Sequence, residues 1–217
     1  MNGNSGLGGG VLSAALCMMA TIGLALLPAR AAPLTGADLV RGLQKGAYVV
    51  VIRHASSPDA PPPANVADPQ NVTHERQLDA TGRKTVQAMG EAIRSLHIPV
   101  GKVLSSPTYR AKQTAQLAGL GKLTIQPELG DAGHSMERDA VANQAGWLRR
   151  QAGELPAAGA NTFIVTQEPN IATAFGQEAA DLKAGGALVF QPNGKGGETL
   201  VGRVPIEEWP ALANAAR

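Results

Sequence analysis

The chain has 217 residues, 44% hydrophobic, 17% charged and 3% aromatic, enough for one globular domain with a substantial core and too short for two ordinary ones. Nineteen Lys and Arg stand against seventeen Asp and Glu, and no basic block is longer than Arg149-Arg150, so a nucleic-acid-binding surface is not indicated. Four His and one Cys, without any Cys-x-x-Cys or His-x-x-x-His spacing, leave little room for a metal cage, and neither a metal nor a cofactor is expected.

Val11 to Leu27 form an apolar run, followed by Pro28 and by Ala29-Arg30-Ala31, which has the small-x-small form of a signal-peptidase site. This reads as a secretory signal over residues 1–31, leaving a domain over 32–217. The leader MNGNSGLGGG carries no Lys or Arg, so the terminal amine alone supplies the positive start. An uncleaved anchor is the competing reading, since a run of 17 apolar residues lies at the short end of a membrane span. Helix-breaking Pro28 and the Ala-x-Ala favour cleavage, and Leu16 before Cys17 departs from a lipoprotein pattern. The expectation is an exported chain, periplasmic or secreted, cysteine-free and without stable membrane contact once cleaved.

From Ala32 onward, short β-branched runs alternate with helical patterns, the mark of an α/β domain around a mainly parallel sheet. Tyr48 to Ile52 is continuous in apolar residues, as expected of a central strand buried on both faces. Thr81 to Leu96 places Val86, Met89, Ile93 and Leu96 on one helical face, and Pro99 closes the segment. Lys102 to Ser105 reads as a strand, Pro107 to Ala118 as a helix with proline in its first turn, and Arg138 to Ala152 as a helix carrying Trp147. Asn161 to Thr166 is a third clear strand. Ala187 to Gln191 and Thr199 to Val204 flank a polar, glycine-rich hairpin tip, and a short helix follows Ile206. Trp147 and Trp209 are expected in the core or partly covered.

Ala55 to Gln77, with Pro58, Pro61, Pro62, Pro63 and Pro69, is long for a structureless loop and reads as a lid or binding loop. Gly194 to Gly197 lacks the Gly-Lys-Ser/Thr ending of a phosphate loop and lies between strands. Asn71-Val72-Thr73 matches a glycosylation sequon, a match common by chance.

Arg53-His54 directly follows the first strand, where open α/β sheets bind ligands. The second strand ends in Ser105-Ser106-Pro107-Thr108-Tyr109-Arg110, and the third in Thr166-Gln167-Glu168-Pro169-Asn170. Three strand ends thus converge with two guanidiniums, an imidazole and a carboxamide. Such a donor-rich crevice wants an oxyanion.

VVVIRHASS, ERQLDATGRKTVQAMG and LSSPTYRAKQTA together resemble the histidine phosphatase superfamily, the phosphoglycerate-mutase-like enzymes. The likeness runs from about Tyr48 to Phe175. It implies a three-layer α/β sandwich, a small phosphorylated substrate, a nucleophilic His54, and Arg53 and Arg110 gripping the phosphate oxygens. The chemistry agrees: a neutral imidazole is a competent nucleophile if its other nitrogen is held, and a guanidinium fork binds two oxygens at once. The family also places an acid after the second motif. Leu129-Gly130-Asp131 nominates Asp131 as proton donor, with Glu128 and His134 as rivals.

The resemblance has one departure. Where the family carries a second pocket histidine, this chain has Gln167, which can donate an N–H to phosphate but brings no charge. Losing one charge-assisted donor costs about 10²- to 10³-fold in rate. Two readings follow, an exported phosphomonoester hydrolase attenuated by Gln167, and a non-catalytic phosphate-ester-binding protein of the same fold. Oligomeric state is not legible.

Overall fold

The computed structural model describes residues 33–130 and 138–216, with Met1 and Gly3. Contacts divide the chain into Met1–Arg30 and Ala31–Arg217, and the fold is that of the second unit. Apart from Met1 and Gly3, the expected signal segment lies outside the described residues.

The elements run α1 (Gly36–Lys45), β1 (Val49–Arg53), α2 (Ala80–Ser95), β2 (Val100–Ser105), α3 (Tyr109–Leu117), β3 (Leu123–Ile125), α4 (Arg138–Ala152), β4 (Asn161–Thr166), α5 (Glu168–Phe175), β5 (Ala187–Pro192), β6 (Glu198–Val204) and α6 (Glu208–Ala215). One sheet has the order β3-β2-β4-β1-β5-β6. The first four strands are mutually parallel, and β5 and β6 are antiparallel additions. Among the described residues no helix is long and apolar enough to cross a membrane.

Alternation along the strands builds the three layers. Val50 and Ile52 of β1 join α1, α2, α3 and α6 in one core. Val49 and Val51 turn the other way, onto Leu148 of α4 and Ile171 and Phe175 of α5. Both faces are covered, which is why β1 and β4 read as unbroken apolar runs. Trp209 lies fully buried in the first core, while Trp147 is only partly buried against the second.

Two polar devices fix the start and end of these elements. Asn161, fully buried at the first residue of β4, accepts from the Tyr48 N–H and donates to the carbonyls of Leu43 and Pro99. It therefore ties the chain entering β1 to those leaving α1 and entering β2. Asp79 caps α2 by accepting from Gly82 N at 2.7 Å, and its other oxygen takes the Ser56 hydroxyl at 2.6 Å. Burial would raise the Asp79 carboxyl, but these hydrogen bonds, one from Thr81 N–H and the charge of Arg83 together hold it below the usual range.

Helix α2 also approaches its neighbours closely. A Cβ on Gly90 would lie 1.9 Å from Ala118 O, and one on Gly82 would lie 2.2 Å from Ser56 O. Only glycine allows both approaches, which set α2 against the end of α3 and against the residues just after β1.

The helix expected over Pro107 to Ala118 begins two residues later. Ser106 Oγ accepts from Thr108 N at 3.2 Å, a local turn that holds Pro107 outside the helix. The long segment after β1 is cross-linked rather than loose. Asn71 and Gln77, both buried, bond its backbone at Glu75, Val66 and Asp68. Asp68 then accepts from Gln113 of α3, and Leu78 N donates to the same glutamine's Oε1 at 2.7 Å. Burial, the bond to Asp68 and its charge push the Tyr109 phenol up to about 12.

Candidate active site

The parallel register brings the three predicted strand ends together because β4 lies between β2 and β1. His54 N donates to Thr166 O at 2.9 Å, and Ser106 N donates to Val165 O at 2.9 Å. Gly185 N reaches both Arg53 O and His54 O at 3.1 Å, which clamps the end of β1 from a third side.

His54 is 7% exposed, and both ring nitrogens are engaged. Nδ1 lies 2.8 Å from Ala55 O, and Arg110 Nε lies 3.1 Å from Nε2. A carbonyl only accepts and a guanidinium only donates, so the proton sits on Nδ1 and the Nε2 lone pair faces Arg110. Burial drives the His54 pKa from 6.5 down to about 4; the Ala55 carbonyl opposes this, and the charges of Arg110, Arg53 and Arg76 add to the fall. The result at neutral pH is an uncharged imidazole whose Nε2 pair accepts a hydrogen bond from a cation. A neutral ring of this kind has the chemistry of a nucleophile toward an anionic centre.

The arginines are held differently. Arg110, buried in the first turn of α3, sits on Nε2 itself. Arg53 is half-buried and donates Nη1 to Leu182 O at 2.8 Å, while its buried Nε has no hydrogen-bond partner among the described residues. An unsatisfied guanidinium N–H beside the histidine is a place for an oxyanion oxygen. Arg76, which sequence reasoning missed, is the third cation acting on His54. Its Nε donates to Pro58 O at 2.6 Å and its Nη2 to Ser57 O at 3.4 Å, so it braces the long segment next to the site. The only signal for it was its place in the ERQLDATG stretch.

Gln167 is 1% exposed, and its Nε2 donates to Ser106 Oγ at 2.9 Å and Thr108 Oγ1 at 2.6 Å. Its Oε1 is buried without a partner among the described residues. The amide hydrogens are thus spent on two hydroxyls. Asn170, three residues on, donates to Thr166 Oγ1 at 2.9 Å and Leu129 O at 3.3 Å, and so anchors the segment that leads into Asp131. Asp131 and His134 lie outside the described residues. Glu128 is exposed on a 3₁₀ turn spanning Pro127–Leu129. No group of three His, Cys, Asp or Glu among the described residues is arranged to hold a metal ion.

A folded-state pKa below the unfolded one means that the unfolded chain takes up the His54 proton first. Stability contributed by the neutral ring is complete above pH 6.5 and is lost as pH falls through about 4. The span corresponds to on the order of 3 kcal/mol. Urea titrations at pH 7 and 4.5 should show a larger acid loss for the wild type than for His54→Gln; equal losses would remove the buried neutral ring from the account.

The site thus lies at the carboxyl ends of β1, β2 and β4 of an α/β fold and holds a buried imidazole among guanidiniums. The model of the histidine phosphatase superfamily (branch 1) matches residues 49–154, taking in Arg53, His54, Arg76 and Arg110, and this stretch of the chain is similar to that superfamily. Its fold is similar to that of the protein histidine phosphatase SixA complexed with tungstate, with a TM-score of 0.54 and 17% identity over 74% of this chain and 98% of that one. It is also similar to a protein assigned as an alpha-ribazole-5′-P phosphatase from Escherichia coli, with a TM-score of 0.51 and 17% identity over 71% and 95% of the two chains. No curated protein matches the chain in sequence.

Proposed function

We propose that the chain is an exported phosphomonoester hydrolase that works through a phosphohistidine on His54, with its rate lowered by Gln167. The observation that carries this reading is the His54 ring, held neutral with its proton on Nδ1 and its Nε2 pair toward Arg110. In the first step Nε2 attacks phosphorus and the ester P–O bond breaks. The leaving alkoxide takes a proton, and Asp131 is assigned to supply it. Arg53 Nε and the Arg110 guanidinium stabilise the charge spread over the phosphoryl oxygens. Water then attacks the phosphohistidine and gives a proton to the Asp131 carboxylate as the P–N bond breaks, releasing orthophosphate and restoring both the imidazole and the acid.

The engagement of both Gln167 amide hydrogens favours the second reading, a phosphate-ester-binding protein without turnover. The two separate readily. Purified protein mixed with a ³²P-labelled aryl phosphate and quenched in base should retain base-stable label on a His54 peptide, with continuing release of phosphate. Saturable phosphate binding with neither label nor release supports the binding protein instead.

A further inference from the structure

We infer that Thr114 is a positioning residue that sets the tautomer of His54 from the same face of α3 that carries Arg110. The two residues are one helical turn apart, and between them they govern both nitrogens of the ring. Arg110 Nε reaches Nε2 directly. Thr114 acts on Nδ1 through one intervening residue. Its hydroxyl donates to Arg110 O at 2.8 Å, which leaves an oxygen lone pair to accept from Ala55 N at 3.1 Å. The carbonyl of that same Ala55 receives the Nδ1 proton.

The next residue is fixed as firmly. Ser56 O accepts from Asp79 N at 3.1 Å, Ser56 Oγ donates to Asp79 Oδ2, and Gly82 approaches the Ser56 backbone so closely that a Cβ there would lie 2.2 Å from its carbonyl. Ala55 is therefore held at its N–H by Thr114 and at the following peptide by α2, and its carbonyl has one direction left to point. Thr114 and Ala55 are both fully buried, so water does not stand ready to replace the hydroxyl. With the Ala55 anchor gone, the carbonyl is free to turn away and the ring proton to move to Nε2, the atom that must attack.

The role rests on reading His54 as the nucleophile, so the deciding measurement does not depend on turnover. In the full chain labelled with ¹⁵N-histidine, long-range ¹H–¹⁵N spectra report which ring nitrogen of His54 bears the proton. The wild type should show protonated Nδ1 and bare Nε2. Thr114→Val should give a mixed or reversed tautomer, and Thr114→Ser should restore the wild-type pattern. Thr114→Cys, which keeps one γ atom but makes it a poor acceptor and lacks the methyl, serves if the valine variant does not fold. Where aryl phosphate is hydrolysed, kcat should fall about 10²-fold in the valine variant with KM little changed, since Arg53 and Arg110 remain. An unchanged His54 tautomer in the valine or cysteine variant overturns the proposal. A shifted tautomer in a protein that never turns over leaves Thr114 in place and removes the hydrolase reading alone.

Discussion

Replacing His54 by alanine is expected to abolish hydrolysis of an aryl phosphate, a fall of about 10⁶-fold in kcat when a covalent nucleophile is lost. No other described imidazole stands ready to take its place, because His74 and His97 are both exposed. The loss belongs to kcat and not to binding. Arg110 loses only its imidazole acceptor and Arg53 keeps its open Nε in the variant, so inorganic phosphate should still bind, as calorimetry can measure. Residual turnover at a tenth of the wild-type rate would sink the phosphohistidine route.

The second large effect runs the other way. Gln167→His is expected to raise kcat by about 10²- to 10³-fold, the worth of one charge-assisted donor in a preorganised oxyanion site. Residue 167 lies buried between the Ser106 and Thr108 hydroxyls, which now absorb both amide hydrogens. A hydroxyl is donor and acceptor alike, so either can hold one imidazole nitrogen while the other nitrogen donates to the phosphoryl group. The gain should fade on the basic side as that imidazolium loses its proton, a limb absent from the wild-type profile. If the variant is as slow as its parent, Gln167 does not limit the rate.

The central fold and three of the pocket residues were legible in the sequence because strong local signals coincide with burial. β1 and β4 are covered on both faces, so their apolar runs announce them; Arg53 ends β1, His54 directly follows it, and Arg110 closely succeeds the end of β2. The missed elements lack such signals. β3 has three residues on an edge, half-buried or exposed, and α1 buries only Leu39, Val40 and Leu43 in a ten-residue stretch that includes two glycines. The missed side chains act through pairings that no local pattern reports. Thr114 and Gln113 look like ordinary helical residues until Ala55 N and Leu78 N are seen to end on them. Gln167 was read as a donor toward phosphate, and its engagement by Ser106 and Thr108 depends on where β2 and β4 meet, which is a matter of register.

The sheet order bears on the sequence of events during synthesis. β1 and β2, which deliver the two arginine-bearing motifs, do not touch each other; the last-made parallel strand, β4, is inserted between them. A nascent chain that has reached residue 154 holds both motifs but has no ladder to join them. The crevice is therefore assembled late, by the β1–β4 and β2–β4 pairings, the first of which spans about half the chain, and a topology so rich in distant contacts pays its loop-closure entropy before any reward. A partly synthesised chain therefore lacks the crevice in which Arg53, His54 and Arg110 meet, and that crevice exists only once β4 has paired with both its neighbours.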